Sequence, residues 1–280
     1  MQTKLSRQVS YIYLSLIPLL AAIPAFTIGH INYEIYLPIW IISSILMLIT
    51  AWTLGVHVFR NADVERKHLV VIAMLLILPW LFISIFFGMG PPPNIPSIWI
   101  ERSTEQQTRY TFLIISGILV AMGFAGLWVK LKKSTEDFYS IFGFVAIIIA
   151  IPLFLIYITQ LHTFDFESFK ISVASASGKM PEWYSPINDQ YQIMTIIDAS
   201  LIYLATAAFA ASLKTVGWFK KEASNIYIII SLIALVMVIL QPLYAKAVAF
   251  LGIFPLLIPA IPFIMPYLMG VNLLKRAGNE

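Results

Sequence analysis

The sequence predicts an all-α fold, a polytopic integral membrane bundle of about eight transmembrane helices with both termini cytoplasmic. Three observations predict it. Apolar stretches long enough to cross a bilayer recur along the 280 residues, separated by short charged connections. Charged residues are 11% of the chain, apolar residues 60% and mean hydropathy is +0.86, whereas a soluble domain is about 25% charged. The lysines and arginines also alternate sharply from one connection to the next.

A helix rises about 1.5 Å per residue, so about 20 apolar residues cross a hydrocarbon core about 30 Å thick. Stretches 10–29, 36–59, 68–88, 109–131, 138–160, 192–214, 225–245 and 247–274 meet that length. Backbone in lipid must satisfy its own hydrogen bonds. None of these stretches alternates with the period of a barrel strand, so each reads as a helix. Residues 1–280 form one transmembrane domain in this reading, with 89–108 and 161–191 as its two long extracytoplasmic loops.

The first stretch follows Lys4 and Arg7 in the manner of a secretion signal. Its apolar run exceeds the usual 7–15 residues or so, and Pro24 spoils a cleavage pattern at Ala21, Ala22 and Ala25, so a retained helix is expected. The second, fourth and sixth share a short similarity: Ile41-Ile42-Ser43-Ser44, Ile114-Ile115-Ser116-Gly117 and Ile196-Ile197-Asp198-Ala199. A parallel repeat of helix hairpins and chance resemblance among Ile-rich helices both explain it. Small residues four apart, Gly117, Ala121 and Ala125, then Ala207 and Ala211, predict close helix contacts. Between the third and fourth stretches, Pro91, Pro92 and Pro93 predict a stiff cap across the helix ends. Between the fifth and sixth, Phe164, Phe166, Phe169, Trp183 and Tyr184 are expected at headgroup level. The eighth carries Pro255, Pro259, Pro262 and Pro266 on one stripe, and each removes a backbone donor, so this segment is expected to be kinked or broken.

With a cytoplasmic N-terminus, 13 Lys and Arg fall on inside connections and 5 on outside ones. That bias places both termini in the cytoplasm of a multi-pass protein of the cell membrane. The net charge of +4 therefore reports topology, and no nucleic-acid partner is expected. No cysteine is present, which excludes thiolate ligands, disulfides and cysteine nucleophiles. HExxH zinc sites, phosphate-binding GxxxxGK[ST] loops and GxSG serine turns are also absent. No catalytic signature remains, and a non-catalytic membrane subunit is expected.

Asp198 stands inside the sixth stretch, where an ionised carboxylate costs several kcal/mol unless it is paired, hydrated or protonated. It is the leading candidate for ligand binding or, alternatively, for tying helices together. Gln160, His162, Gln241, Lys246 and Arg109 approach a similar depth in the outer leaflet and complete a candidate polar pocket. His30 with His162, or His57 with His68, offers the two imidazoles that a haem b requires.

Three functions fit these features. The first is a membrane subunit of a larger protein complex, such as a quinone-interacting anchor in a respiratory electron-transfer assembly. There Asp198 would take a proton, and His162 or Gln241 would bind a ring carbonyl. The others are a secondary transporter or channel built around Asp198 and the proline-rich eighth stretch, and a haem b cytochrome. The expected surroundings are the lipid bilayer and partner subunits.

Overall fold

The computed structural model describes residues 4–60, 63–93, 95–134, 136–175, 178–241 and 258–279. Every regular element among them is helical. The helices are α1 (Lys4–Thr27), α2 (Tyr33–Leu54), α3 (Val64–Ile83), α4 (Phe86–Met89), α5 (Pro96–Glu101), α6 (Ser103–Lys132), α7 (Phe138–Ala174), α8 (Tyr184–Thr215), α9 (Lys221–Leu240) and α10 (Ile264–Asn279). Seven described helices are long and apolar enough to cross a membrane, counting α3 and α4 as one span, Val64–Met89. The chain is a multi-pass helical membrane bundle.

Local chemistry sets the helix ends. Asn32 accepts from the Glu34 amide at 3.0 Å and caps α2, and Asp63 accepts from the Arg66 amide at 2.7 Å and caps α3. Glu136 accepts from the Tyr139 amide at 2.8 Å at the start of α7. Three helices exceed what a bilayer requires: α6 has 30 residues, α7 has 37 and α8 has 32. At about 1.5 Å per residue, α7 is about 55 Å long, well beyond a core of about 30 Å. The excess of all three lies at the end opposite the basic connections. Helix therefore occupies much of the segment read as a loop at 161–191, running to Ala174 and resuming at Tyr184, and α5 with the start of α6 occupies much of 89–108.

The packing order runs from α3 to α6, α7, α8 and α9, with α1 and α2 paired on the other flank. Phe124 stacks on Phe209 at 4.8 Å between α6 and α8, and Trp128 lies flat on Phe144 at 4.1 Å between α6 and α7. Gly117 admits the Phe154 ring, as the small-residue spacing predicts. Outward faces stay apolar and exposed, including Ile41, Ile45 and Ile49 on α2 and Ile226, Ile229 and Ile233 on α9. These faces meet lipid.

The C-terminal helix α10 is the hub. It packs on α1, α2, α3 and α8, and Tyr267, Met269, Val271, Leu273, Leu274 and Ala277 are all fully buried. Gly270 permits its closest approach to α3, because a Cβ there would meet Leu76 Cβ at 2.8 Å and the Ala73 carbonyl at 2.9 Å. The expected eighth stretch starts within 242–257, so its first part and Pro255 lie outside the described residues. In the described part, residues 258–260 form a turn, Ile261–Phe263 a single 3-10 turn, and α10 starts only at Ile264, so the helix is broken at its prolines as expected.

Hydrogen bonds fix α10 in place. Pro18 has no N–H, so the Leu14 carbonyl loses its donor in α1, and the Tyr267 hydroxyl donates to that carbonyl at 2.6 Å. Trp80 Nε1 donates to the Phe263 carbonyl at 3.1 Å. Asn272 joins Tyr11 of α1, at 3.2 Å, to Tyr227 of α9, at 2.6 Å.

Tyr267→Phe should lower stability by about 1–2 kcal/mol by leaving a dry carbonyl without a donor. Pro18→Ala restores a donor within α1, so the same change in that background should cost about half as much or less. Detergent-denaturation midpoints of the four proteins check this, and equal losses in both backgrounds would show that the hydroxyl does not serve that carbonyl.

Candidate functional site

The overhanging helices enclose a cavity of about 510 Å³ at the end opposite the basic connections. Each wall follows from the local sequence. Ala21, Ala22 and Ala25 of α1 leave space where larger side chains would fill it. Tyr157, Leu161, Asp165 and Phe169 recur every fourth residue and present one face of α7. Arg109, Tyr110 and Leu113 come from α6, Tyr184, Gln192 and Thr195 from α8, and Trp80 and Ile83 from α3. Trp99 of α5 enters beside Phe166 and Phe169, with ring centroids 5.9 and 5.3 Å away. The turn at 258–260, outside any helix, lies in the wall, a placement that membrane proteins tolerate where the chain lines a cavity.

The proline cap lies where its composition predicts. Pro91, Pro92 and Pro93 line the cavity after Gly90, which has φ 63°, a conformation that favours glycine. Gly90 also touches the backbone of Gly29 and His30, too close to admit a Cβ. The α1–α2 turn is stitched to this cap by the Ile31 amide, which donates to the Gly88 carbonyl at 2.8 Å. Glu105 of α6 completes the stitching, receiving the Tyr36 hydroxyl at 3.1 Å and pairing with His30 Nε2 at 3.0 Å.

Two buried ionisable side chains line the cavity. Arg109 is 6% exposed, donates from Nη2 to the Gly90 carbonyl at 2.7 Å and lies 5.0 Å from the Phe86 ring centroid. Asp165 is 7% exposed, and its Oδ1 accepts from Gln160 Nε2 at 2.8 Å. The two form no ion pair with each other, and no described carboxylate pairs with the guanidinium. Glu105, one turn earlier on α6, is within electrostatic reach of the guanidinium, and a buried charge without a closely paired counter-ion costs several kcal/mol. The wall thus offers a cationic donor, a carboxyl group and tyrosine hydroxyls among aromatic surfaces.

No protein-family model, curated protein or solved structure matches this chain.

The sequence-predicted residues divide. Arg109 lines the cavity and Gln160 supports it through Asp165. Asp198 is buried on α8, one turn past Thr195 and within electrostatic reach of Tyr157, but is not in the wall. His162 is half-buried on α7 outside the wall, and Gln241 ends α9, also outside it, with a buried Oε1 that has no partner among the described residues. Lys246 lies outside the described residues. His30 is engaged by Glu105 and makes no described contact with His162. Asp165 and the ring lining of Trp80, Trp99, Tyr110 and Tyr157 are not among the sequence candidates. The signal for Asp165 was the four-residue spacing from Tyr157 to Phe169, which continues past the end of the apolar run at 160.

Gln160→Leu removes the described donor to Asp165 and should destabilise the protein by about 1–3 kcal/mol. Adding Asp165→Leu should recover most of that loss, because both polar partners are then gone. Thermal midpoints in detergent test the pair, and additive losses would show that the two side chains do not depend on each other.

Proposed function

We propose that this chain is a membrane subunit that binds a quinone-class lipid in the cavity between α1, α3, α6, α7 and α8. The observation that carries the proposal is a buried guanidinium and a buried carboxyl group, not paired with each other, in one aromatic-walled cavity, Arg109 and Asp165. Arg109 would donate to one ring carbonyl, because a charge-assisted hydrogen bond is strongest where water is scarce. Asp165 would accept from, or return a proton to, the opposite oxygen. Trp80, Trp99 and Tyr157 would flank the ring, and the isoprenoid tail would leave toward lipid.

Conversion of a quinone to a quinol consumes two electrons and two protons. In this proposal Asp165 handles protons, while electrons come from a redox partner subunit of a respiratory-type assembly in the cell membrane. The 13-to-5 charge bias orients the basic end, with both termini, toward the cytoplasm and the cavity toward the outer face. Asp198 lies one turn deeper than the wall residue Thr195 on α8, within electrostatic reach of Tyr157 of α7, and these groups offer a route for proton exchange.

One observation favours a second reading, a secondary transporter: the turn at 258–260, which interrupts the helix before Ile264, lines the cavity, as broken helices do at transporter sites. Solute flux in liposomes containing this chain alone would select it over the quinone proposal.

Trp80 and Trp99 lie in the wall and report occupancy. Titration of the purified chain with a short-chain benzoquinone should quench tryptophan fluorescence saturably, and Arg109→Met should weaken the apparent affinity about tenfold or more. Linear quenching of equal slope in both proteins would contradict the proposal.

A further inference from the structure

A second cavity, of about 610 Å³, lies at the basic end. It is built from the two extremes of the chain, with Lys4, Arg7, Gln8, Tyr11 and Ile12 from α1 and Lys275 and Asn279 from α10, closed by Leu54 at the end of α2. The hub position of α10 forces this meeting, since Tyr267 and Asn272 hold the helix against α1. A close approach at Gly278, where a Cβ would meet the Leu54 carbonyl and Arg7, brings the last turn against Arg7.

The positive-inside bias accounts for the number of cations at this end but not for three of them around one cavity. No described carboxylate lines it, and no described ion pair involves Lys4, Arg7 or Lys275. Arg7 donates from Nη2 to the Leu54 carbonyl at 3.2 Å, while its Nε is buried without a partner among the described residues. The Lys275 ammonium lies 3.6 Å from the Tyr11 ring centroid. Burial first, and then the positive charges of Lys220 and Arg7, hold that ammonium below the ordinary lysine range. A bound anion would relieve this crowding.

The apolar side of the cavity points to the form of the anion. Ile12 lines the cavity and also belongs to an exposed apolar stripe of α1 with Leu5, Val9 and Leu16, spaced as one helix face. We infer that Lys4, Arg7 and Lys275 form a site for a phosphate group, that of an anionic phospholipid whose acyl chains lie along this stripe. Arg7 and Lys275 would contact the phosphate oxygens, with Tyr11, Gln8 and Asn279 as neutral partners for the headgroup. The site is separate from the aromatic-walled cavity and independent of the function proposed for it.

The test is native mass spectrometry of the delipidated full chain in detergent, with phosphatidylglycerol, phosphatidylcholine or inorganic phosphate added. Phosphatidylglycerol should be retained over phosphatidylcholine. The triple variant Lys4→Gln/Arg7→Gln/Lys275→Gln should lose affinity by about fivefold for each charge removed. A control of equal charge change at the same end, Arg60→Gln/Lys133→Gln/Lys221→Gln, should bind as the parent does. If the triple variant does not fold, Lys275→Gln alone is read the same way. Retention of inorganic phosphate, lost in the variant, would keep the phosphate site and assign its source to a soluble phosphate. Equal retention of the two lipids, or equal losses in variant and control, would overturn the inference.

Discussion

A proline in the first helix and a tyrosine in the last set the plan of this bundle. In lipid, apolar side chains gain little by moving from acyl chains to protein, so helix association rests on close packing and on the few polar groups that need partners. Pro18 leaves the Leu14 carbonyl without its helical donor, and the Tyr267 hydroxyl supplies one from α10. This bond, with Trp80 to Phe263 and Asn272 between Tyr11 and Tyr227, places the C-terminal helix in the centre of the bundle. Both cavities follow from that placement. The turn leading into α10 becomes wall for one, and its last residues become wall for the other.

The aromatic-walled cavity depends equally on helix length. Overhang of α6, α7 and α8 carries polar residues beyond the hydrocarbon core while keeping them within a protein wall. Arg109 and Asp165 are thereby shielded from water without being driven together, so their fields fall on the cavity rather than on each other. Low dielectric strengthens such fields, and it also makes an unoccupied site costly. The Glu105 links to His30 and Tyr36 hold the cap and the start of α6 in register, which keeps Arg109 on the Gly90 carbonyl.

The membrane-spanning architecture was legible because bilayer thickness imposes a length that composition reveals, and the break before α10 was legible because proline removes a backbone donor. The ends of α7 and α8 were less so. An apolar run stops where lipid stops, but a helix continues while its turns are satisfied, so Asp165 fell in a segment read as loop. Arg109 and Gln160 were recognisable as polar groups at the right depth. Their separation from Gln241 depends on the order of helices around the bundle, which spacing along a single chain does not encode, whereas His162, two residues past Gln160 on α7, falls on another face of the same helix. The Tyr267–Leu14 bond spans 253 residues of sequence, and only its proline half was visible there.

The cavity as a ligand site is tested most directly by photoaffinity labelling of the purified chain with an azidoquinone, followed by mapping of the modified residues. The account predicts adducts on Tyr110, Tyr157, Leu161 and their neighbours in the wall, suppressed by excess unlabelled quinone. Labelling spread over the lipid-facing surfaces of α1, α2 and α9, with no protection, would contradict it.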